Sequence, residues 1–227
     1  MESENRKKIL FVVSNIDEVG HLKTGVWLSK FAHPYLEFRN AGHDICVASP
    51  LGGEATLSPT SLAESHAEEH WRFAQDILKS TDKLAEVNED LFDGLYLTGG
   101  PGVLFDLTYN EKLAIIVTKF YESGKMLAAI GHSVCGFVSA KLSNGEPFLK
   151  GKKVTCFTNS EEIALHKEQY VPFFIEDKVK ELGAEFLSGP DFTEFVVVDN
   201  NILTGQSSPS IKKLTVEMLS FPVSSEK

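Results

Sequence analysis

The chain has 227 residues, 42% of them hydrophobic, and a formal net charge of −10. This size and apolar content predict one domain, 1–227, with a substantial core, while an acidic chain without a basic cluster argues against nucleic acid as a partner. The three scattered cysteines do not suggest a disulfide framework, and the sequence shows neither a long apolar run nor a signal-peptide pattern, which favours a cytoplasmic protein with no membrane association.

Short apolar runs alternate with longer amphipathic segments along the chain. Strands are predicted at 8–14, 44–50, 93–97, 126–130, 152–158, 195–199 and 202–204. Helices are predicted at 24–43 with a kink or break at Pro34, at 71–78, 110–125, from about 134, at 171–183 and from Ser207. This alternation predicts an α/β fold with a mostly parallel sheet and helices on both faces, and the Asn200-Asn201 turn predicts a short antiparallel hairpin.

Two loops are expected at the carboxyl ends of the strands, where ligands bind in such folds. One is the glycine-rich TGGPG at 98–102, and the other is IGHSVCG at 130–136. The first fits neither a dinucleotide fingerprint nor a P-loop. Its backbone N–H groups can face an oxygen anion, although a tight turn explains the glycines equally well.

The second loop has the form of a strand-to-helix turn that can hold a nucleophile. Residues 131–135 read GHSVC, close to the G-x-S-x-G pattern of serine hydrolases, which makes Ser133 one candidate. A triad also needs an acid and then a histidine after the serine, and only His166 follows, so a helix-capping hydroxyl is the simpler interpretation. Cys135 is the second candidate, because a helix N-terminus can lower a thiol pKa; a core position is its alternative.

A further pattern, HAEEH at 66–70, matches a motif of some zinc peptidases. It lies in a polar stretch with no further ligand evident, so a solvated helix face is preferred and no metal is predicted. No cofactor of any kind is predicted for this chain.

Longer blocks of the sequence resemble a known family. They are KTGVWLSKFAHPY (23–35), NAGHDICVASPLGG (40–53), LTGGPG (97–102), FYESGKMLAAIGHS (120–133), GKKVTCFTNSEE (151–162), VPFFIED (171–177) and VVVDNNILTGQSSPS (196–210). Over nearly the whole chain they resemble the ThiJ/PfpI superfamily of class I glutamine amidotransferase-like proteins, and within it the glyoxalase III, chaperone and deglycase branch. The resemblance implies a flavodoxin-like three-layer sandwich and a homodimer.

The resemblance also implies which positions carry the chemistry. Active members of this branch have a cysteine followed by a histidine at the turn, a glutamate on the first helix that touches the thiol, and a second glutamate after a later strand. Gly131 stands where the cysteine is expected and Lys30 where the first glutamate is expected, whereas His132 and Glu162 match. Pro101 replaces a histidine of the glycine loop. A GH pair at this turn is similar to some paralogous glutamine amidotransferase-like proteins that look noncatalytic.

These differences remove both partners of one reaction. A glycine cannot attack a carbonyl carbon, and a lysine is cationic at neutral pH unless it is desolvated. The preferred hypothesis is a non-catalytic binding, regulatory or chaperone-like homologue that holds a small anionic or aldehyde ligand in a pocket lined by Lys30, Gly100, Gly131, His132, Ser133 and Glu162. The alternative is a glyoxalase III, deglycase or hydrolase enzyme of altered mechanism, with the catalytic residues Cys135 or Ser133, His132 and Glu162.

Overall fold

The computed structural model of the protein describes residues 6–64 and 71–222. Within them, seven strands form one sheet: β1 Lys8–Val12, β2 Asp44–Ser49, β3 Asp82–Lys83, β4 Gly94–Leu97, β5 Met126–Ile130, β6 Val196–Asp199 and β7 Ile202–Gly205. The α-helices of the same residues are α1 Leu28–Asn40, α2 Pro59–Glu64, α3 Phe73–Leu78, α4 Val103–Asp106, α5 Glu111–Glu122, α6 Asn159–Ala164, α7 Ile175–Glu181 and α8 Ile211–Ser220. Two short strand pairs lie apart from the sheet: Glu18–Val19 with Leu22–Lys23, and Lys153–Val154 with Glu185–Phe186.

The seven strands lie side by side in the order β6-β7-β5-β4-β1-β2-β3. Every neighbouring pair is parallel except β6 and β7, which form the antiparallel hairpin expected at Asn200-Asn201. This arrangement confirms the predicted flavodoxin-like sandwich with a mostly parallel sheet. Strand β5 runs directly into the 3-10 helix Gly131–Phe137, at the carboxyl edge where ligands bind in open parallel sheets.

Helices cover both faces of the sheet because alternate strand residues point to opposite sides. In β1, Leu10 and Val12 belong to a core that includes α5 and α7, whereas Ile9 and Phe11 belong to a second core that includes α1 and α8. All four side chains are fully buried. No helix within the described ranges is both long and apolar enough to cross a membrane. The packed layers give the loops at the strand ends a rigid support.

Helix α1 is shorter than the predicted segment 24–43, and it is continuous although Pro34 lies inside it. A proline nitrogen cannot donate to the carbonyl four residues earlier, which here belongs to Lys30. The Tyr96 hydroxyl donates to that carbonyl at 2.6 Å instead. A buried side chain of β4 therefore supplies the missing hydrogen bond and fixes the first turns of α1.

The prediction of a sheet strand over 152–158 is wrong for most of its length. Only Lys153–Val154 is a strand, and it pairs with Glu185–Phe186 outside the main sheet. The next backbone N–H, that of Thr155, donates to the Thr204 hydroxyl at 3.0 Å rather than to a strand. Side-chain acceptors replace strand partners here, and the chain turns toward the carboxyl edge of the sheet.

Candidate functional site

The turn after β5 is tighter than the sequence predicts. The 3-10 helix begins at Gly131, three residues before the predicted start at about 134. Gly131 has a φ of 62°, in the left-handed region where a residue with a Cβ is strained. The Ser133 hydroxyl stabilises the turn, since it accepts from the Ile130 N–H at 2.9 Å and donates to the Leu97 carbonyl at 2.7 Å. These bonds hold the turn against β4.

A cavity of about 270 Å³ lies beside this turn. Its lining comes from segments far apart in the sequence, from Trp27 to Pro209, which the sheet brings together at its carboxyl edge. Aromatic and other apolar side chains supply much of the wall. Among the described residues, the ionisable side chains that line the cavity are Lys30, His132, Glu162 and Lys167.

His132 and Glu162 form a buried pair in the cavity wall. Nε2 of His132 lies 2.6 Å from Oε2 of Glu162, and the two residues are 6% and 3% exposed. The imidazole also stacks on Phe157, with ring centroids 4.4 Å apart. The second carboxylate oxygen of Glu162, Oε1, is buried and has no hydrogen-bond partner among the described residues. A buried acceptor in this state is unfavourable, so a ligand that donates a hydrogen bond to Oε1 would be stabilised.

The start of α6 explains why Glu162 reaches the cavity while its neighbour does not. Glu161 and Thr158 form a capping box: the Glu161 N–H donates to the Thr158 hydroxyl at 3.0 Å, and the Thr158 N–H donates to Oε2 of Glu161 at 3.1 Å. The other oxygen of Glu161 accepts from the Ser207 hydroxyl at 2.7 Å and the Phe192 N–H at 2.8 Å. Glu161 therefore holds the helix and two loops in place, and Glu162 faces the cavity.

Lys30 is a buried lysine in the first turn of α1, where Tyr96 holds its backbone carbonyl. The residue is 3% exposed, and its Nζ lies 5.5 Å from the centroid of the Trp27 ring. The same Nζ lies 3.2 Å from the position that a Cβ on Gly131 would take. A residue larger than glycine at position 131 would therefore have its side chain directly beside that of Lys30.

The glycine loop TGGPG packs its backbone directly against the segment before α1. Gly100 has a φ of 149°, and a Cβ on it would lie 2.4 Å from the Gly25 carbonyl oxygen. The Trp27 N–H donates to the Gly99 carbonyl at 3.1 Å. This close approach, which requires glycine, places Gly100, Trp27 and Lys30 on one wall of the cavity.

Neither candidate nucleophile of the turn lines the cavity. Ser133 is fully buried, and its hydroxyl is engaged in the turn. Cys135 is also fully buried, and its Sγ donates to the Val103 carbonyl at 3.3 Å. Burial raises the pKa of the Cys135 thiol, and the nearby Asp106 carboxylate adds to this effect. Neither side chain reaches a ligand in the cavity unless the turn rearranges.

The structure offers little support for a metal centre. Within the described ranges, no group of three or more His, Cys, Asp or Glu side chains could hold a metal ion. The HAEEH pattern at 66–70 lies outside the described residues. That the protein works without a cofactor stays a prediction.

Comparison with known protein families gives a match over most of the chain. The DJ-1/PfpI family matches residues 22–220. The chain belongs to the DJ-1/PfpI family. This finding confirms the resemblance to ThiJ/PfpI proteins, and the glyoxalases among the relatives confirm the branch.

The DJ-1/PfpI relatives include proteins with and without a reaction in their names. The glutathione-independent glyoxalase HSP31 of Saccharomyces cerevisiae is 26% identical, over 94% of this chain and 97% of its own length. The glutamine amidotransferase-like class 1 domain-containing protein 1 of Homo sapiens is 27% identical, over 91% of this chain and 90% of its own length. Among solved structures, the Rapid Encystment Protein 24 kDa of Francisella tularensis superposes with a TM-score of 0.89 at 30% identity, over 94% of this chain and 97% of that one.

The two replacements in the DJ-1/PfpI motif are neighbours in space. Gly131 stands at the position of the expected cysteine and Lys30 at that of the expected glutamate. Because the Lys30 Nζ lies 3.2 Å from a Cβ position at residue 131, the glycine leaves room that the lysine fills. The other two motif positions, His132 and Glu162, carry the expected residue types and form their pair. The site is therefore changed at two of these four motif positions and retained at the other two.

Sequence reasoning did not identify several lining residues, among them Trp27, Phe157, Lys167 and Phe192. Trp27 and Phe157 lie inside the blocks KTGVWLSKFAHPY and GKKVTCFTNSEE. Their closeness in sequence to the motif residues Lys30 and Glu162 could have indicated that they line the cavity. Lys167 and Phe192 lie in loops without a pattern. Only the fold brings Lys167 to the cavity, where its Nζ lies 6.0 Å from the centroid of the Trp27 ring.

Proposed function

We propose that this protein binds a small hydrated or hydroxylated carbonyl compound in the cavity and performs no thiol chemistry there. Glu162 carries the proposal, because one of its oxygens holds His132 while Oε1 is buried without a partner among the described residues. An ionised carboxylate only accepts hydrogen bonds. A ligand hydroxyl, such as that of a hydrated aldehyde, therefore satisfies Oε1, whereas a bare carboxylate ligand does not.

Two lysines of the cavity wall suit the oxygen end of such a ligand. The Nζ atoms of Lys30 and Lys167 lie 5.5 Å and 6.0 Å from the centroid of the same Trp27 ring. Amines and ammonium groups donate to a carbonyl or carboxylate oxygen. The volume, about 270 Å³, lies just below the roughly 300–1,000 Å³ of pockets for drug-sized ligands, which favours a compound of few carbons.

The cysteines support the absence of thiol chemistry. A thiol attacks as its thiolate. Burial raises the pKa of Cys135 and of Cys156, and burial together with the Asp82 carboxylate raises the pKa of Cys46 to about 12. None of the three lines the cavity.

The biological role that fits this proposal is a binding, regulatory or chaperone-like one. Assembly as a homodimer and a cytoplasmic location are expected from the resemblance and the composition, and both stay predictions. Light scattering of the purified protein after size exclusion measures the first, and microscopy of a tagged chain measures the second.

A second candidate function is a glutathione-independent glyoxalase of altered mechanism. The similarity to enzymes with that activity in their names, such as Glyoxalase 3 of Candida albicans, favours it. In this case His132 would move protons at the substrate and Glu162 would orient the imidazole through the 2.6 Å contact. The two candidates share a ligand class and differ in turnover.

Methylglyoxal tests both candidates in one preparation. Binding is followed by quenching of Trp27 fluorescence in a Trp71→Phe background, and turnover by lactate formed without glutathione. We expect binding, no lactate above the uncatalysed level, and binding at least about tenfold weaker in Glu162→Gln, since a hydrogen bond to a charged group is worth about 1.5–3 kcal/mol. Glu168→Gln, at an exposed position near the same helix, is the matched control.

Each outcome of this experiment decides between the candidates. Binding without lactate supports the proposal. Lactate formation that disappears in Glu162→Gln and persists in Glu168→Gln supports the glyoxalase instead. A protein that neither binds nor turns over methylglyoxal contradicts both.

A further inference from the structure

We infer that the side-chain amine of Lys30 forms a reversible imine with a small aldehyde held in the cavity. The inference rests on the proposed function and deepens it, because it names the atom that meets the carbonyl carbon. It also gives the lysine a chemical role at the position where the resemblance leads one to expect an acid.

The position of the amine is the first argument. The Lys30 Nζ lies 3.2 Å from where a Cβ on Gly131 would be, and a thiol at this turn would stand one covalent bond from that Cβ. The amine is thus close to the place that an attacking sulfur would take. Lysine amines are established nucleophiles toward carbonyl carbons, with which they form Schiff bases.

The surroundings of the amine are the second argument. Lys30 is 3% exposed and lines the cavity together with Trp27 and Phe157. The Tyr96 hydroxyl holds its backbone carbonyl at 2.6 Å, so the side chain extends from a fixed point. A largely apolar site limits the water that would hydrolyse an imine, and a fixed backbone keeps the lysine side chain beside a bound aldehyde.

The chemistry balances without an oxidant or a reductant. After the Lys30 ammonium has given up a proton to solvent, the nitrogen lone pair adds to the aldehyde carbon, the carbon–oxygen double bond opens, and a proton passes from nitrogen to oxygen to give a carbinolamine. Loss of the hydroxyl and a second nitrogen proton as water leaves a carbon–nitrogen double bond. The Glu162 carboxylate provides an acceptor on the cavity wall for a hydroxyl on the neighbouring carbon of the same ligand.

Glycolaldehyde is the probe that matches these features, because it has one aldehyde and one hydroxyl. The wild-type protein is incubated with glycolaldehyde and sodium cyanoborohydride, which reduces an imine to a stable secondary amine, and the lysines are mapped by peptide mass spectrometry. We expect Lys30 to be modified about ten times more than Lys167 or the exposed lysines, since the bound aldehyde is held beside it. Lys30→Arg keeps the charge and should lose the adduct, whereas Lys79→Arg, at an exposed position outside the cavity lining, should leave labelling of Lys30 unchanged.

Binding of glycolaldehyde, followed by Trp27 fluorescence without the reductant, separates failure of this inference from failure of the proposed function. Binding with no adduct on Lys30, or with an adduct spread evenly over all lysines, overturns the imine and leaves the binding proposal standing. Absence of both binding and adduct overturns both. The wild-type map decides the question by itself, so misfolding of a variant does not affect the test.

Discussion

Replacement of Gly131 by cysteine tests the described turn directly. A φ of 62° costs an L-residue about 1–2 kcal/mol, whereas removal of the glycine's extra freedom in the unfolded chain offsets about 0.4–1 kcal/mol of this. The new Cβ would lie 3.2 Å from the Lys30 Nζ, the end of a flexible side chain, and 3.5 Å from the Gln206 carbonyl oxygen. We therefore expect a folded variant whose free energy of unfolding, measured in urea, is about 1 kcal/mol below that of the wild type.

The thiol introduced at Gly131 should also be reactive. A lysine ammonium beside a thiol stabilises the thiolate and lowers the thiol pKa below its usual value of about 8.5. The rate of reaction with a disulfide reagent against pH measures this pKa. Gly20→Cys is the matched control, because Gly20 has a φ of 61° and a Cβ there would meet nothing within 4 Å. Addition of Lys30→Met should raise the pKa of the Gly131→Cys thiol again.

Two results would refute this reasoning. A Gly131→Cys thiol that titrates at or above the pKa of the Gly20→Cys thiol contradicts the placement of the Lys30 side chain. A loss of stability far beyond that of Gly20→Cys contradicts the expectation that the Lys30 amine can move away from the new Cβ at residue 131. Agreement on both measurements would support the spatial coupling of the two replaced motif positions.

Three further predictions concern buried groups. Burial raises the pKa of Asp106 from 3.8 to about 6. The contribution of Asp106 to stability is therefore greatest at a pH below its unfolded-state pKa, and about 1–3 kcal/mol of the free energy of unfolding is lost as the pH rises through 6. Asp106→Asn should flatten this dependence of the free energy of unfolding on pH, measured by urea titration, and an unchanged pH dependence would contradict the prediction. Ser133→Ala should lower the free energy of unfolding by about 1–3 kcal/mol in urea, because the Ile130 N–H and the Leu97 carbonyl lose their partner; equal stability would contradict this. Because burial raises the pKa values of Cys46, Cys135 and Cys156, iodoacetamide should label all three far more slowly in the native protein than in urea, and fast native labelling of Cys135 would favour a relocated thiol enzyme.

Strands that are continuous apolar runs could be predicted well from the sequence. All five residues of β5 are buried, as a central parallel strand covered on both faces requires. The hairpin between β6 and β7 could also be predicted, because Asn200 takes a φ of 54° that asparagine tolerates. Strand β3 gives no such signal, since its two residues are both exposed. Its pairing depends on the strand beside it rather than on its own pattern.

The candidate site could be predicted in part. The motif positions Lys30, Gly131, His132 and Glu162 are recognisable in single blocks of sequence, but the 3.2 Å approach of the lysine to the turn depends on how α1 packs against the glycine loop. The position of Cys135 shows a second limit. A helix starting near 134 would put its thiol in the first turn, whereas the 3-10 helix starting at Gly131 carries it into the core.

The pairing of β5 with β7 has a consequence for synthesis of the chain. Leu127 pairs with Ile202, so the apolar run Met126–Ile130 has an open edge until Ile202–Gly205 has left the ribosome. An open apolar strand edge recruits other chains. Helix α8 is needed as well, because the Lys7 amine in front of β1 donates to the Leu219 carbonyl at 3.0 Å. Closure of the sheet therefore requires β7 and α8 to have been synthesised, and a product that ends before Ile202 would be prone to aggregation.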